Sequence, residues 1–440
     1  MASFFFFHLS FFFFVAVFSL VSHFSIVTSL TFSLSHFHTN PSQNSYLNLN
    51  FLVSSSLTRA LHLKHQQSNI TTQLSSHSYG GYFISLPFGT PPQTIPFILD
   101  TGSDIVWFPY TSHYVCKNCF FSRAPPEIPT FIPKHSSSSK HSSSSKILDC
   151  QNPKRSWIHH RNLQCGGCGD EPTSRNCTQV CPSYLIFYGS GVTGGIALSE
   201  TLNLPDKTIP CFLVGCSVFS YRQPAGIAGF GRGQTSLPSQ LYLNKFSCCL
   251  LSHKFDDTTK TSSLVLDIGS DSYSGMKTTG LNYMPLIKNP RVPGRKPDND
   301  GNGGTIIDSG TTFTFMPPQV LEPLANEFID QMKKKKYTRA FDVEDLTGLR
   351  PYFNIPAGDQ KWVLFPELKL HFKGGAEVAL PPENYFALVG QGSAVCLTVV
   401  TDKAESVGPA IILGNFQMQN YYMEYDLRNE RIGFKQQVCK

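Results

Sequence analysis

Ile98-Leu99-Asp100-Thr101-Gly102-Ser103 and, 208 residues later, Ile306-Ile307-Asp308-Ser309-Gly310-Thr311 are the stretches on which the reading of this 440-residue chain turns. In each, an apolar run delivers an Asp, then a hydroxyl residue, a Gly and a second hydroxyl residue. Apolar residues follow again, Ile105-Val106-Trp107-Phe108 in the first case and Phe313-Thr314-Phe315 in the second. One such match would be a strand ending in a turn. Two imply a duplicated half, with one Asp from each copy meeting at an interface. A second echo keeps the same order: Ala225-Gly226-Ile227-Ala228-Gly229-Phe230-Gly231 follows the first Asp, and Ile411-Ile412-Leu413-Gly414-Asn415-Phe416 follows the second. An apolar strand ending in Gly can thread beside an Asp loop because Gly admits close backbone approach.

Around these motifs the pattern is all-β. Tyr82-Phe83-Ile84-Ser85-Leu86 and Thr94-Ile95-Pro96-Phe97-Ile98-Leu99 flank Gly89-Thr90-Pro91-Pro92-Gln93, which reads as a hairpin turn. Helical spacing is clearest over Pro318 to Met332, with Leu321, Leu324, Ala325, Phe328 and Met332 on one face. Lys333 to Lys336 then oppose the helix dipole and read as a solvated end. The doubled run of His, four Ser and Lys over 135–146 is expected to be a surface loop. At 15% charged residues the chain is too apolar for disorder, and a net charge of +6, spread out, gives no argument for nucleic acid.

The N-terminus reads separately. Of 36 Phe, 12 precede residue 38, and the apolar run reaches about Val27. This predicts a signal peptide over 1–29 with a small-residue exit at Val27-Thr28-Ser29, although no Lys or Arg occurs before Arg59. A retained signal anchor is the rival. With cleavage, no stable membrane span is expected, and the protein should be exported to the extracellular space or cell wall, the vacuole being a further destination. From 30 to 77 the chain is Ser-, His- and Asn-rich, weakly patterned and without an acid, since Asp100 is the first acidic residue. Arg59 and Lys64 lie in an amphipathic stretch, Leu57 to Lys64. A basic segment ahead of a carboxylate site suits an inhibitory propeptide; a plain export spacer is the alternative.

On the paired motifs, the region from Tyr79 to Lys440 resembles the pepsin-type (A1) aspartic proteases, most closely the plant nepenthesin-like group. The resemblance implies an all-β bilobal fold, with lobes over 78–258 and 259–440 and few short helices. It places Asp100 and Asp308 at the floor of the cleft between the lobes and makes Tyr188 and Gly189 part of a flap over the substrate. Two carboxylates about 4 Å apart repel by roughly 4 kcal/mol at an effective dielectric of about 20. One therefore titrates above the other, and the pair shares a proton. The ionised partner takes a proton from water, which attacks the peptide carbonyl, while the protonated partner donates to the carbonyl oxygen. Gly102 and Gly310 should bring N–H groups to the carboxylates. Thr101 and Ser309 should bond across the interface, and Ser103 and Thr311 should orient the outer oxygens. This chemistry asks for no cofactor and no metal, its partner is a polypeptide substrate, and a monomer is expected.

All 13 Cys lie at or beyond Cys116. Cys116-x2-Cys119, Cys165-x2-Cys168 and Cys177-x3-Cys181 have spacings that bind zinc in a cytosolic protein, but an export signal makes disulfides the expectation. The run from Cys150 to Cys181 resembles the Cys-rich insert of nepenthesin-like enzymes. Asn176-Cys177-Thr178 is a glycosylation sequon, as is Asn69-Ile70-Thr71. Against the family pattern, Tyr110 and Tyr352 stand at cysteine positions, which leaves Cys396 without its usual partner, and Cys211 and Cys248-Cys249 look like additions. The approach to Asp308, 287–304, holds three Pro, four Gly and no alternating apolar run, where the family normally has another strand pair. The second lobe is thus expected to be shortened, with an exposed edge and impaired activity. The alternative function is a binding protein on the same fold, resembling the plant xylanase inhibitors.

Overall fold

The computed structural model describes residues 29–37, 45–64, 81–119, 128–137, 154, 157–158, 183–188, 191–205, 207–223, 225–252, 261–267, 280–287, 304–356, 365–389, 393–401 and 411–440. Residues 1–28 of the expected signal peptide, the five cysteines of the Cys150–Cys181 run, Asn69, Asn176, Gly189 and most of the Pro/Gly-rich approach to Asp308 lie outside these residues.

The described chain begins with strand β1 (Ser29–Phe37) and helix α1 (Ser45–Lys64). The first half follows with β2 (Gly81–Phe88), β3 (Gln93–Asp100), β4 (Val106–Pro109), β5 (Tyr184–Tyr188), β6 (Gly191–Leu204), β7 (Lys207–Tyr221), β8 (Gly226–Gly229), β9 (Lys245–Cys249) and β10 (Thr261–Asp267). The second half contributes β11 (Thr305–Asp308), β12 (Thr314–Phe315), helix α2 (Pro318–Lys334), helix α3 (Phe341–Thr347), β13 (Tyr352–Asn354), β14 (Ala394–Leu397), β15 (Val399–Val400), β16 (Ile411–Gly414), β17 (Tyr421–Asp426) and β18 (Arg431–Gln436). The architecture is the expected one, mostly strands with few helices. The predicted hairpin is β2–β3, and the predicted helix is α2, its apolar face buried through Leu321, Ala325, Phe328 and Met332.

One large sheet runs through both halves, and β1 sits inside it. It pairs with β10 from Ser29↔Asp267 to Ser35↔Thr261 and with β2 from Ser35↔Phe83 to Phe37↔Gly81. Alternation places Leu30, Phe32 and Leu34 in the main core, while Thr31 and Ser33 face out. The stretch read as weakly patterned from sequence therefore supplies a central strand. The start of the Ser-rich loop also departs from a surface reading: Ser136 is fully buried, and its Oγ accepts the Thr90 N–H at 2.9 Å.

Both echoed strands lie where duplication predicts. β8 runs parallel to β3 with Asp100 opposite Gly229, and β16 runs parallel to β11 with Asp308 opposite Gly414. The halves differ on the far side. β3 is also paired with β2, whereas β11 is the end strand of its four-stranded sheet among the described residues. Ile306 and Ile307 are accordingly only half-buried, while Ile98 and Leu99 are buried.

Among the described cysteines, Cys116 pairs with Cys119 and Cys249 with Cys439. Cys249 is thus a bridge partner for the C-terminus, a correction to its reading as an addition. Tyr352 lies directly across the ladder from Cys396, whose buried thiol is unbridged and pushed up to about 12 by burial.

Candidate active site

Each Asp is the last residue of its strand, and the turn that follows holds its carboxylate with two donors. The Gly102 N–H donates to Asp100 Oδ1 at 3.0 Å and Ser103 Oγ donates to Oδ2 at 2.6 Å. In the second copy, the Gly310 N–H donates to Asp308 Oδ1 at 2.9 Å and Thr311 Oγ1 to Oδ2 at 2.5 Å. Identical turns produce identical cradles, as the sequence echo requires. A Cβ on Gly102 would stand 2.5 Å from Asp308 Oδ1, and one on Gly310 would stand 2.6 Å from Asp100 Oδ1. Each glycine is therefore needed by the opposite carboxylate.

The loops lock together below the carboxylates. Thr101 Oγ1 donates to the Ile307 carbonyl at 2.8 Å and accepts the Ser309 N–H at 2.9 Å. Ser309 Oγ donates to the Leu99 carbonyl at 2.8 Å and accepts the Thr101 N–H at 3.0 Å. Four reciprocal bonds fix the two Asp strands in one register. Asn415, one residue after the second echoed strand, donates from Nδ2 to the Ser309 carbonyl at 3.0 Å. Tyr188 ends β5, and its hydroxyl accepts Trp107 Nε1–H at 2.8 Å. All the predicted site residues within the described chain except Tyr188 gather at the two Asp turns; Tyr188 packs on Trp107 in a separate buried cluster.

A third element completes the site. Arg59, on α1, is 4% exposed and lies between Asp100 and Asp308, themselves 1% and 0% exposed. Its Nη2 donates to Asp100 Oδ1 at 2.6 Å and to Asp308 Oδ1 at 3.2 Å, and its Nε donates to Asp308 Oδ2 at 3.0 Å. The guanidinium thus joins the inner oxygens of both carboxylates. Burial pushes both carboxyls up, and the Arg59 charge pulls both down. The balance holds Asp100 below the ordinary carboxylate value, while Asp308, which also feels the charge of Asp100, stays above it. Burial works against the Arg59 charge, but the two carboxylates outweigh it and keep the guanidinium charged. Arg59 carried one signal in the sequence: with Lys64 it is one of only two Lys or Arg residues ahead of Asp100.

Sequence comparison gives the site a lineage. The family described as "Xylanase inhibitor N-terminal" matches residues 82–270, and "Xylanase inhibitor C-terminal" matches 282–436. A probable aspartyl protease of Arabidopsis thaliana is 31% identical, over 81% of this chain and 82% of its own length. Aspartic proteinase nepenthesin-1 of Nepenthes gracilis is also 31% identical, over 82% of this chain and 78% of its own. Among solved structures, soybean basic 7S globulin is similar with a TM-score of 0.59 at 15% identity, over 94% of this chain and 97% of its own. The structure titled edgp gives 0.60 at 16% identity, over 94% and 95%. At such identities the two structures speak for the fold alone.

Proposed function

This chain belongs to the pepsin-type aspartic protease family, in its plant nepenthesin-like group, and from that membership we propose that it is an exported aspartic endopeptidase made as a precursor. The observation that carries the proposal is the pair Asp100 and Asp308, in mirrored cradles at the meeting of two locked loops. Once Arg59 has left, two buried carboxyls held this close share one proton between them. The ionised member takes a proton from water, the water oxygen attacks the peptide carbonyl, and the protonated member donates to the carbonyl oxygen. Collapse of the tetrahedral intermediate then breaks the C–N bond, with a proton passing to the leaving amine.

Arg59 supports the precursor part of the reading. Its Nη2 bonds both inner oxygens, the place where the attacking water would be activated. While α1 is in place, the site has neither a free carboxylate nor room for substrate, and segment 30–77 acts as the propeptide. Export rests on the apolar N-terminal run; among the described residues no helix is long and apolar enough to cross a membrane.

The test is peptide hydrolysis in acid by the purified chain, with and without a statine-type inhibitor, beside Asp100→Asn. Inhibitor-sensitive cleavage that is lost in Asp100→Asn supports the enzyme. A second reading, a binding protein on this fold, draws on the one-sided pairing of β11 behind Asp308. Absence of any inhibitor-sensitive cleavage after removal of α1 would favour it.

A further inference from the structure

The two halves repeat each other through the Asp turn and then part at one side chain. Four residues on from Asp100 stands Asp104; four on from Asp308 stands Thr312. The echoed strands diverge in step. The first runs out as Gly229-Phe230-Gly231-Arg232-Gly233 and the second as Gly414-Asn415-Phe416-Gln417-Met418. Phe416 and Met418 thus stand where the first copy has its second and third glycines. The glycine that both copies keep meets backbone in both: a Cβ on Gly229 would lie 2.3 Å from the Asp104 carbonyl carbon, and one on Gly414 would lie 2.5 Å from the Thr312 oxygen. The two extra glycines meet a side chain. A Cβ on Gly231 would stand 2.3 Å from Asp104 Oδ1, and one on Gly233 would stand 2.4 Å from Oδ2. Asp104 Oδ1 accepts the Gly233 N–H at 2.7 Å, a charge-assisted bond. The acid and its glycines therefore occur together in one copy and are absent together from the other.

We propose that Asp104 is a positioning residue for the hydrolysis: it pins the Gly229–Gly233 turn, and through that turn keeps Ser103 on Asp100 once Arg59 has left. The inference rests on the endopeptidase reading and adds a residue to it. The pinned turn closes on the Asp100 loop. Its Phe230 N–H donates to the Asp100 carbonyl at 2.7 Å, and its Gly231 N–H donates to the Ser103 carbonyl at 2.9 Å. Ser103 Oγ in turn donates to Asp100 Oδ2. The second copy fastens its loop with no acid: the Asn415 N–H donates to the Thr311 carbonyl at 2.7 Å, and the Phe416 N–H to the Thr312 carbonyl at 3.0 Å. The fold can therefore close such a loop without Asp104, and the acid answers a need on the Asp100 side alone. In the closed site Asp100 Oδ1 is also gripped by Arg59. With that grip gone, the Gly102 N–H and Ser103 Oγ hold the carboxylate, and a productive geometry tolerates only about 0.5 Å of drift. Arg232, in the same turn, pairs with Glu430 at 2.5 Å, but both side chains are about half exposed, and such pairs contribute little.

The experiment measures peptide hydrolysis by the full chain after acid activation, in the wild type and in Asp104→Ala, Asp104→Asn and Arg232→Ala. Asp104→Ala removes the acceptor and is expected to lower kcat about tenfold or more, with KM within about threefold, because no substrate contact is lost. Asp104→Asn keeps an oxygen that can accept the Gly233 N–H, and should restore kcat to within about threefold of the wild type. Arg232→Ala should leave kcat unchanged. Asp104→Thr, which copies the residue at position 312, serves if Asp104→Ala does not fold, and should lose kcat in the same way. A loss in Asp104→Asn equal to that in Asp104→Ala, a loss confined to KM, or an equal loss in Arg232→Ala overturns the assignment. If the wild type cuts no peptide, the endopeptidase reading fails, and amide hydrogen exchange decides the pin by itself. Exchange at Phe230 and Gly231 that is about tenfold faster in Asp104→Ala but not in Asp104→Asn upholds the hold on the Asp100 loop; unchanged exchange overturns it.

Discussion

Replacing Arg59 by Ala leaves Asp100 and Asp308, both buried, without the counter-charge between them. Removing one partner of a buried pair costs about 3–5 kcal/mol. Arg59→Ala is therefore expected to unseat α1 and to give the uncut chain a higher peptide-cleaving activity than the uncut parent, read by a fluorogenic assay. Arg59→Lys keeps the charge but not the fork, and should fall between the two. An uncut Arg59→Ala chain no more active than the uncut parent would refute the latch. The pH dependence follows from Asp100, whose folded pKa is depressed. Its stabilising contribution is present above the ordinary value of 3.8 and is lost as pH falls through the lower folded value. Asp308, raised, works in the opposite sense, contributing below its ordinary value and losing that as pH rises. The grip that Arg59 has through Asp100 should thus yield only below pH 3.8, seen as loss of hydrogen-exchange protection in α1. Release already complete above that pH would contradict it. Thr101→Val removes one donor and one acceptor of the interlocked loops. At about 0.5–1.5 kcal/mol per hydrogen bond the loss is about 1–3 kcal/mol, measurable as a lower denaturation midpoint.

Two elements carry predictions of their own. Leu34, fully buried on β1, sits in the ladder between β2 and β10. Leu34→Ala is expected to cost about 2–5 kcal/mol in denaturant unfolding, a value a mere export spacer would not show. The amides of Ile306 and Ile307 should exchange faster than those of Ile98 and Leu99, because among the described residues β11 is paired on one side and β3 on both. Equal protection would mean that the sheet behind Asp308 is as complete as its counterpart. The difference between these elements also explains what was legible. The Asp turns, their echoed strands and α2 declare themselves locally, through repeated motifs and an apolar stripe. The alternation Leu30, Phe32, Leu34 was present too, but it follows an apolar run without a break, and its partner at Thr261–Asp267 lies more than 200 residues away. Helix α1 turns Ser56 and Arg59 to the second half, and such polar contacts leave no apolar spacing to mark them. Cys249 likewise finds Cys439 across 190 residues, a pairing that no local spacing reveals.

Taken whole, the molecule is two similar halves locked through their Asp loops, with a segment that precedes both set against them. The sheet passes from one half to the other where β9 pairs with β17, and α1 sets Arg59 between the carboxylates of the two halves. Duplication made the halves readable; the placing of Arg59 was readable only as a basic stretch ahead of two acids, because the match depends on depth and direction in three dimensions. The position of Arg59 in the chain has a consequence for synthesis. It precedes Asp308 by 249 residues. At about 5–20 residues per second, the arginine waits roughly 12–50 s on the ribosome before the second carboxylate exists. During that time no dyad can form, and when Asp308 does emerge its counter-ion is already attached to the same chain. On the proposed precursor reading, a cell making this protein is never exposed to the naked pair: the site closes in the act of being assembled, and activity is granted afterwards.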